Sequence, residues 1–165
     1  MGAGKTSVAK ALGERLACRM VDLDQIITER ERRTPGSYIR ELGEDAFREA
    51  EAEALRVLLE NNRARVIALG GGAWARSRNR DLIAKHRALS VWLDAPFYLC
   101  WQRILQSTVE RPLASSESAA HALFEDRRAI YALASLHVTI EENTLPDAAA
   151  LEIENALDST GEGVG

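Results

Sequence analysis

The stretch Gly2-Ala3-Gly4-Lys5-Thr6-Ser7 restricts what this chain can fold into more than any other. Gly4-Lys5-Thr6 is the closing half of the phosphate-binding loop G-x-x-x-x-G-K-[ST]. Such a loop wraps phosphates in backbone N–H groups, and glycine permits the close approach because it has no Cβ. The Lys5 ammonium would reach the β- and γ-phosphates of a nucleotide, and the Thr6 hydroxyl would hold Mg²⁺. Val8, Ala9, Leu12 and Leu16 follow at helical spacing. A helix from Lys5 to about Leu16 would aim the positive end of its dipole at the same phosphates. The alternative is a capped N-terminal helix carrying a chance Gly-Lys-Thr. The opening glycine of the motif would fall two residues ahead of Met1, along with the strand that feeds the loop. The expectation is a natural start further upstream, where in-frame codons encode an apolar strand and that glycine.

Composition narrows the class. A chain of 165 residues fits one domain with a real core, and 46% hydrophobic with 28% charged residues is ordinary for a soluble globular protein. The net charge of −4 argues against a general nucleic-acid binder, so an anionic substrate has to be held by local arginines. No apolar run reaches membrane-spanning length, and the start is not a signal peptide. Cys18 and Cys100 lack metal-ligand spacing and read as reduced core thiols in a cytoplasm. His86, His121 and His137 are scattered and read as surface or packing residues.

Strand and helix signals then alternate along the chain. Arg19-Met20-Val21 is a short strand running into Asp22-Leu23-Asp24, where side-chain alternation would point both carboxylates the same way. Beside a phosphate loop, one could hold a Mg²⁺ water and the other could accept a substrate proton; otherwise Asp24 caps the following helix. Arg30 to Gly36 is a charged turn closed by Pro35-Gly36, followed by a short helix with Tyr38, Ile39 and Leu42. Glu44 to about Asn61 is a long amphipathic helix with Phe47, Ala54, Leu55 and Leu58 inside. Arg48 sits near its start, the wrong end of the helix dipole for a cation. That position calls for an ion pair with a nearby glutamate, which the sequence favours, or a grip on an anionic ligand.

Arg65 to Leu69 is a strand without polar alternation, as in a sheet buried on both faces, and it ends in Gly70-Gly71-Gly72. Ligands of open α/β sheets bind at the carboxyl edge, and a glycine triplet there lets backbone approach a small molecule. Arg78 to His86 is predicted helical, Leu89 to Leu93 a buried strand, and Phe97 to about Leu105 a helix carrying Arg103. Gln106 to Ser118 is polar and aperiodic, with Arg111-Pro112-Leu113 at its centre: either a lid whose arginine stabilises a transferring phosphoryl group, or a plain surface loop. Ala119 to about Leu133 is a helix with Arg127, Arg128 and Tyr131; His137 to Ile140 is the last strand, and Pro146 to about Leu157 the closing helix. Residues 158–165 read as a disordered tail, and residues 1–157 as one domain without internal repeats. The alternation predicts a three-layer α/β/α fold, with a parallel sheet between helices.

Taken together these motifs resemble the shikimate kinase family of P-loop small-molecule kinases. The resemblance runs in register from Met1 to about Ile140. It rests on Gly2-Ala3-Gly4-Lys5-Thr6, Asp22-Leu23-Asp24, Gly43-Glu44 with Phe47-Arg48, Gly70-Gly71-Gly72, Arg111-Pro112-Leu113, and Arg127 four residues before Tyr131. It implies transfer of the γ-phosphoryl of ATP to the 3-hydroxyl of shikimate, with Mg²⁺, by a cytoplasmic monomer with a mobile lid at about 106–118. It implies that Asp24 meets the reacting hydroxyl and serves as base, that Arg48 and Arg127 bind the shikimate carboxylate, and that Gly70, Gly71 and Gly72 line the same pocket. Gly2, Ala3, Gly4, Lys5, Thr6 and Ser7 would bind ATP, with Arg111 reaching it from the lid and Arg103 packing on adenine. Thr6 and Asp22 would serve Mg²⁺. The catalytic set is thus Lys5, Asp24 and Arg111. Ala114 stands where the family's lid usually has a second leucine, and Arg103 lies one residue further from Arg111 than is common. The family's first strand, central in its sheet, is missing ahead of Gly2, so the two flanking strands should be left with unpaired backbone and the chain as written should fold poorly. Other readings are a gluconate kinase of the same fold, or a kinase-like ligand-sensing domain of a regulator.

Overall fold

Strands running parallel cannot be joined by tight turns; each needs a crossover, and helices supply it. The computed structural model describes residues 2–62, 64–107 and 116–159. In chain order it contains α1 (Lys5–Arg15), β1 (Met20–Asp22), α2 (Leu23–Glu31), α3 (Pro35–Leu42), α4 (Glu44–Glu60), β2 (Val66–Ala68), α5 (Gly71–Ala75), α6 (Ser77–Lys85), β3 (Val91–Asp94), α7 (Phe97–Leu105), α8 (Glu117–Tyr131), β4 (Leu136–Thr139) and α9 (Pro146–Ser159). β1 lies parallel to β2, with Met20 opposite Val66 and Asp22 opposite Ala68. β3 lies parallel to β4, with Val91 opposite Leu136 and Asp94 opposite Thr139.

Two apolar clusters flank these strands. One joins Val8 and Leu12 of α1 to Ile153 of α9 and takes in Val66, Ala68, Leu93 and Val138. The other joins Leu23 and Ile27 of α2 to Phe47, Leu55 and Leu58 of α4 and Ile83 of α6, with Ile67 packed against it. Val66 and Ala68 thus face one cluster and Ile67 the other, as alternation along a strand requires. This is the three-layer α/β/α arrangement that the sequence predicts.

The sheet is not continuous. Among the described residues it falls into two parallel pairs, β1–β2 and β3–β4. Between β2 and β3 lies a cavity of about 710 Å³, bordered by both strands and by helices of both layers. The gap is where the resemblance places a central strand.

Local chemistry moved several boundaries. Pro35-Gly36 does not close a turn: Pro35 opens α3, capped by the Thr34 hydroxyl, which accepts the Ser37 N–H at 3.2 Å. Proline suits a first helical position, where its missing N–H is not needed. Gly71 and Gly72 are not a turn either but the start of α5. Asp158 and Ser159, expected in the tail, extend α9; the rest of that tail, 160–165, lies outside the described residues. Of the expected lid, Gln106 and Ser107 follow α7, and Ser116 caps α8 by accepting the Ala119 N–H at 3.2 Å. Arg111, Pro112, Leu113 and Ala114 lie outside the described residues. Among the described residues no helix is long and apolar enough to cross a membrane.

Candidate active site

The phosphate loop is built on backbone that glycine alone adopts without strain. Gly2 has φ 73° and Gly4 φ 90°. A Cβ on Gly2 would also run into the Cys100 carbonyl of α7. Gly4 caps α1, whose first residue is Lys5, so the loop hands its N–H groups to a helix N-terminus. Arg103 of α7 reaches over this loop: its Nη1 donates to the Gly2 carbonyl at 3.4 Å and lies beside Gly4.

From Thr6 a hydrogen-bonded path leads to the second half of the site. The Thr6 hydroxyl donates to Asp22 Oδ2 at 2.7 Å, and Asp22 Oδ1 accepts the Asp24 N–H at 3.0 Å. Strand β1 stops at Asp22, which caps α2, so Asp24 stands on the first helical turn. The expectation that both carboxylates alternate along a strand is therefore corrected, and the capping role belongs to Asp22 rather than Asp24. Helical geometry instead turns the exposed Asp24 carboxylate toward Gly70, where its Oδ1 would lie 3.4 Å from a Cβ and Glu51 Oε1 3.3 Å.

Glu51 is 1% exposed and Arg48 is 7% exposed. Both lie on α4 three residues apart, a spacing that makes them neighbours on one face. Arg48 Nη1 donates to both Glu51 oxygens at 3.1 and 3.0 Å, and its Nε and Nη2 donate to Glu44 at 3.2 and 3.0 Å. Burial opposes charge on Arg48, but the two glutamates more than offset it and hold the guanidinium above its usual range. Burial pushes the Glu51 carboxyl up, with Arg48 and Arg127 opposing and the charge of Asp24 adding to the rise. The ion pair favoured by the sequence is real, and the group it buries faces the site: Gly72 packs directly against the Arg48 guanidinium.

Between the unfolded value of 4.5 and its higher folded value, Glu51 holds a proton in the native chain that the unfolded chain has released; above that window it is the carboxylate paired with Arg48. Its stabilising contribution is complete below the unfolded value of 4.5 and is lost as pH rises through the higher folded value. Glu51→Gln, which does not titrate, should remove the decline in stability that begins just above pH 4.5. Urea melts at a series of pH values check this; identical slopes for both proteins would contradict it.

Gly71 faces the Tyr131 hydroxyl of α8 so closely that a Cβ could not be accommodated. Burial raises the Tyr131 pKa, and Arg127, one turn earlier, opposes the rise by charge and hydrogen bonding. Gly71→Ala is expected to cost about 1–3 kcal/mol of stability by overpacking. Pairing it with Tyr131→Phe should recover part of that loss in thermal melts, and no recovery would count against the contact.

The glycine-led helix α5 is fixed from behind by groups the sequence did not single out. Asn79, 1% exposed, donates to the Ala73 carbonyl at 3.0 Å. Arg80 donates to the Trp74 and Ala75 carbonyls at 2.8 and 2.9 Å, and Trp74 Nε1 donates to the Ile130 carbonyl at 2.9 Å, tying α5 to α8. Glu51 was missed as well; its spacing from Arg48 was the available signal. Asp24 and Glu51 thus neighbour Gly70, Tyr131 neighbours Gly71 and Arg48 neighbours Gly72, with Arg127 acting on Glu51 and Tyr131, and Asp22 links Asp24 to Thr6. Lys5, Gly71 and Tyr131 border the cavity between β2 and β3. Arg111 alone among the expected site residues lies outside the described chain.

This fold and rim define a P-loop small-molecule kinase, an ATP-dependent phosphotransferase. Comparison with known proteins gives the family. The shikimate kinase family model matches residues 1–158. The shikimate kinase of Thermobifida fusca is 38% identical over 164 residues, which cover 98% of this chain and 92% of that one. The solved shikimate kinase of Acinetobacter baumannii, in complex with shikimate, superposes with a TM-score of 0.86 at 32% identity, covering 97% of this chain and 89% of that one. That of Aquifex aeolicus superposes with a TM-score of 0.80 at 29% identity, covering 99% and 95%. The chain belongs to the shikimate kinase family.

Proposed function

We propose that this chain transfers the γ-phosphoryl group of ATP to the 3-hydroxyl of shikimate, with the following division of labour. Gly2, Ala3, Gly4, Thr6 and Ser7 cradle the phosphates, and Lys5 neutralises charge on the β- and γ-phosphates. Arg103, lying over the loop at Gly2 and Gly4, is on the nucleotide side and packs near the base. Arg111, by resemblance to the family, comes onto ATP from the lid.

Arg48 and Arg127 receive the substrate carboxylate. Each arginine–carboxylate contact contributes on the order of 1.5–3 kcal/mol, enough for two to select an acid over a neutral polyol. Gly70, Gly71 and Gly72 let the ring approach the backbone between them. Asp24 accepts the hydroxyl proton as the oxygen attacks the γ-phosphorus and the bond to the β–γ bridging oxygen breaks, releasing ADP. The rest of the rate comes from positioning and from charge stabilisation.

Thr6 and Asp22 fit a magnesium ion by their chemistry: a hydroxyl and a carboxylate, hard oxygen donors 2.7 Å apart at the phosphate loop. Bound there, Mg²⁺ would neutralise charge on the β- and γ-phosphates.

The observation that supports this reading is the run of neighbours from Thr6 through Asp22 and Asp24 to Glu51 and Arg48, which links the phosphate loop to a buried arginine. An ADP-release assay across shikimate, gluconate and nucleoside monophosphates tests it. Shikimate should be turned over well ahead of the others; preferred turnover of gluconate or a nucleotide would overturn it.

A further inference from the structure

Arg127 stands on α8, its guanidinium donating to the Tyr131 hydroxyl one turn on and its charge acting on Glu51 of α4. Both contacts are made by its own long side chain, which follows wherever α8 goes. A helix shifts as a rod, so what fixes the place of the guanidinium must also grip the main chain of α8. Trp74 of α5 makes such a contact. Its Nε1 donates to the Ile130 carbonyl at 2.9 Å, three residues beyond Arg127. Ile130 belongs to the last turn of α8, where carbonyls lack a partner within the α-helical ladder. The same carbonyl accepts the Leu133 N–H at 3.2 Å, so both of its lone pairs are used. At the helical rise, Ile130 lies about 4.5 Å along the axis from Arg127.

Trp74 is itself held. Arg80 of α6 donates Nη1 to the Trp74 and Ala75 carbonyls at 2.8 and 2.9 Å, and its guanidinium carbon stands 6.0 Å from the indole centroid, a separation at which the ring attracts a cation. Asn79 Nδ2 donates to the Ala73 carbonyl at 3.0 Å. The indole is thus gripped at backbone and ring by α6 before it reaches α8. Helix α5 also begins at Gly71, whose Cα faces the Tyr131 hydroxyl. One short helix therefore carries the glycines at its head and, three residues later, a bond to the helix that bears Arg127. An apolar side chain would fill the space beside α8 equally well; an N–H aimed at a main-chain carbonyl fixes a distance and a direction besides.

We propose that Trp74 is a positioning residue for substrate binding: its indole N–H sets the place of α8 against the glycine-led α5 and so aims the Arg127 guanidinium at the substrate carboxylate. The inference rests on the reading above, in which Arg127 receives that carboxylate. Trp74 acts through α8 and not by touching the substrate.

Calorimetric titration of the full chain with shikimate and with its methyl ester tests this without turnover. Trp74→Phe removes the donor and part of the ring. Placing β-(3-benzothienyl)alanine at position 74, which exchanges the indole N–H for sulfur, removes the donor alone and decides the matter if the phenylalanine variant is unstable. Loss of the donor should raise the Kd for shikimate by about 10-fold, the upper end for one hydrogen bond, and leave the Kd for the ester unchanged. In an Arg127→Ala background the same replacement should change neither Kd, because the group being aimed is gone. An unaltered Kd for shikimate, even with a lower melting temperature, would overturn the proposal. So would equal weakening of acid and ester, or a full further loss on top of Arg127→Ala. A parent chain that binds acid and ester alike refutes the carboxylate reading and this inference with it. A parent that prefers the acid, and keeps that preference without the N–H, refutes only the role of Trp74.

Discussion

Asp24→Asn is expected to lower kcat by about 10²- to 10⁴-fold, the usual contribution of a positioned general base. The melting temperature and both KM values should stay close to the parent's. Asp24 is exposed on the first turn of α2, so its carboxylate contributes no packing to the core. The helix cap is Asp22, which accepts the Asp24 main-chain N–H and is untouched by the substitution. Asparagine keeps the size of the side chain and an acceptor oxygen, and loses only the capacity to take a proton. Steady-state rates at saturating ATP and shikimate check this. Unchanged kcat would remove Asp24 from proton transfer.

Arg48→Ala should have the second-largest effect, through two separable losses. The first is a substrate contact: kcat/KM for shikimate should fall by about 10- to 150-fold, the equivalent of one arginine–carboxylate bond. The second is structural. Glu51 is 1% exposed and would be left buried without its partner, which typically costs about 3–5 kcal/mol. Adding Glu51→Gln removes the stranded charge. The double variant should therefore regain stability in urea melts while its kcat/KM stays low. Joint recovery of both would show that Arg48 acts only by supporting α4, and recovery of neither would place the loss elsewhere.

Much of this molecule was legible in the residues because its signals are local. Apolar spacing marked α1, α4 and α7 to within a residue or two, and the strands followed from short apolar runs. What was not legible depended on contacts between distant segments. Asp22 and Asp24 read as a strand pair because the sequence does not reveal that Asp22 ends β1 by capping α2. Pro35-Gly36 carries a turn composition, but the Thr34 hydroxyl converts it into a helix start. Glu51 resembles any charge on an amphipathic helix until Asp24 of α2 and Gly70, at the head of α5, come to lie beside it. Asn79 gives no signal at all, since its function is a bond to a carbonyl six residues back, inside the fold. The division of the sheet was foreseen only through the family likeness; periodicity alone has no means of showing a missing neighbour.

The central claim is that a carboxylate-recognising hollow and a phosphate loop share one rim. It is tested most directly by turnover of shikimate beside shikimate methyl ester, which keeps the reacting hydroxyl and loses the charge that Arg48 and Arg127 would receive. The account predicts a kcat/KM for shikimate about 100-fold or more above that of the ester, with the gap narrowed by about 10-fold or more in Arg48→Ala, where Arg127 remains. Equal turnover of acid and ester by the wild-type chain would contradict it.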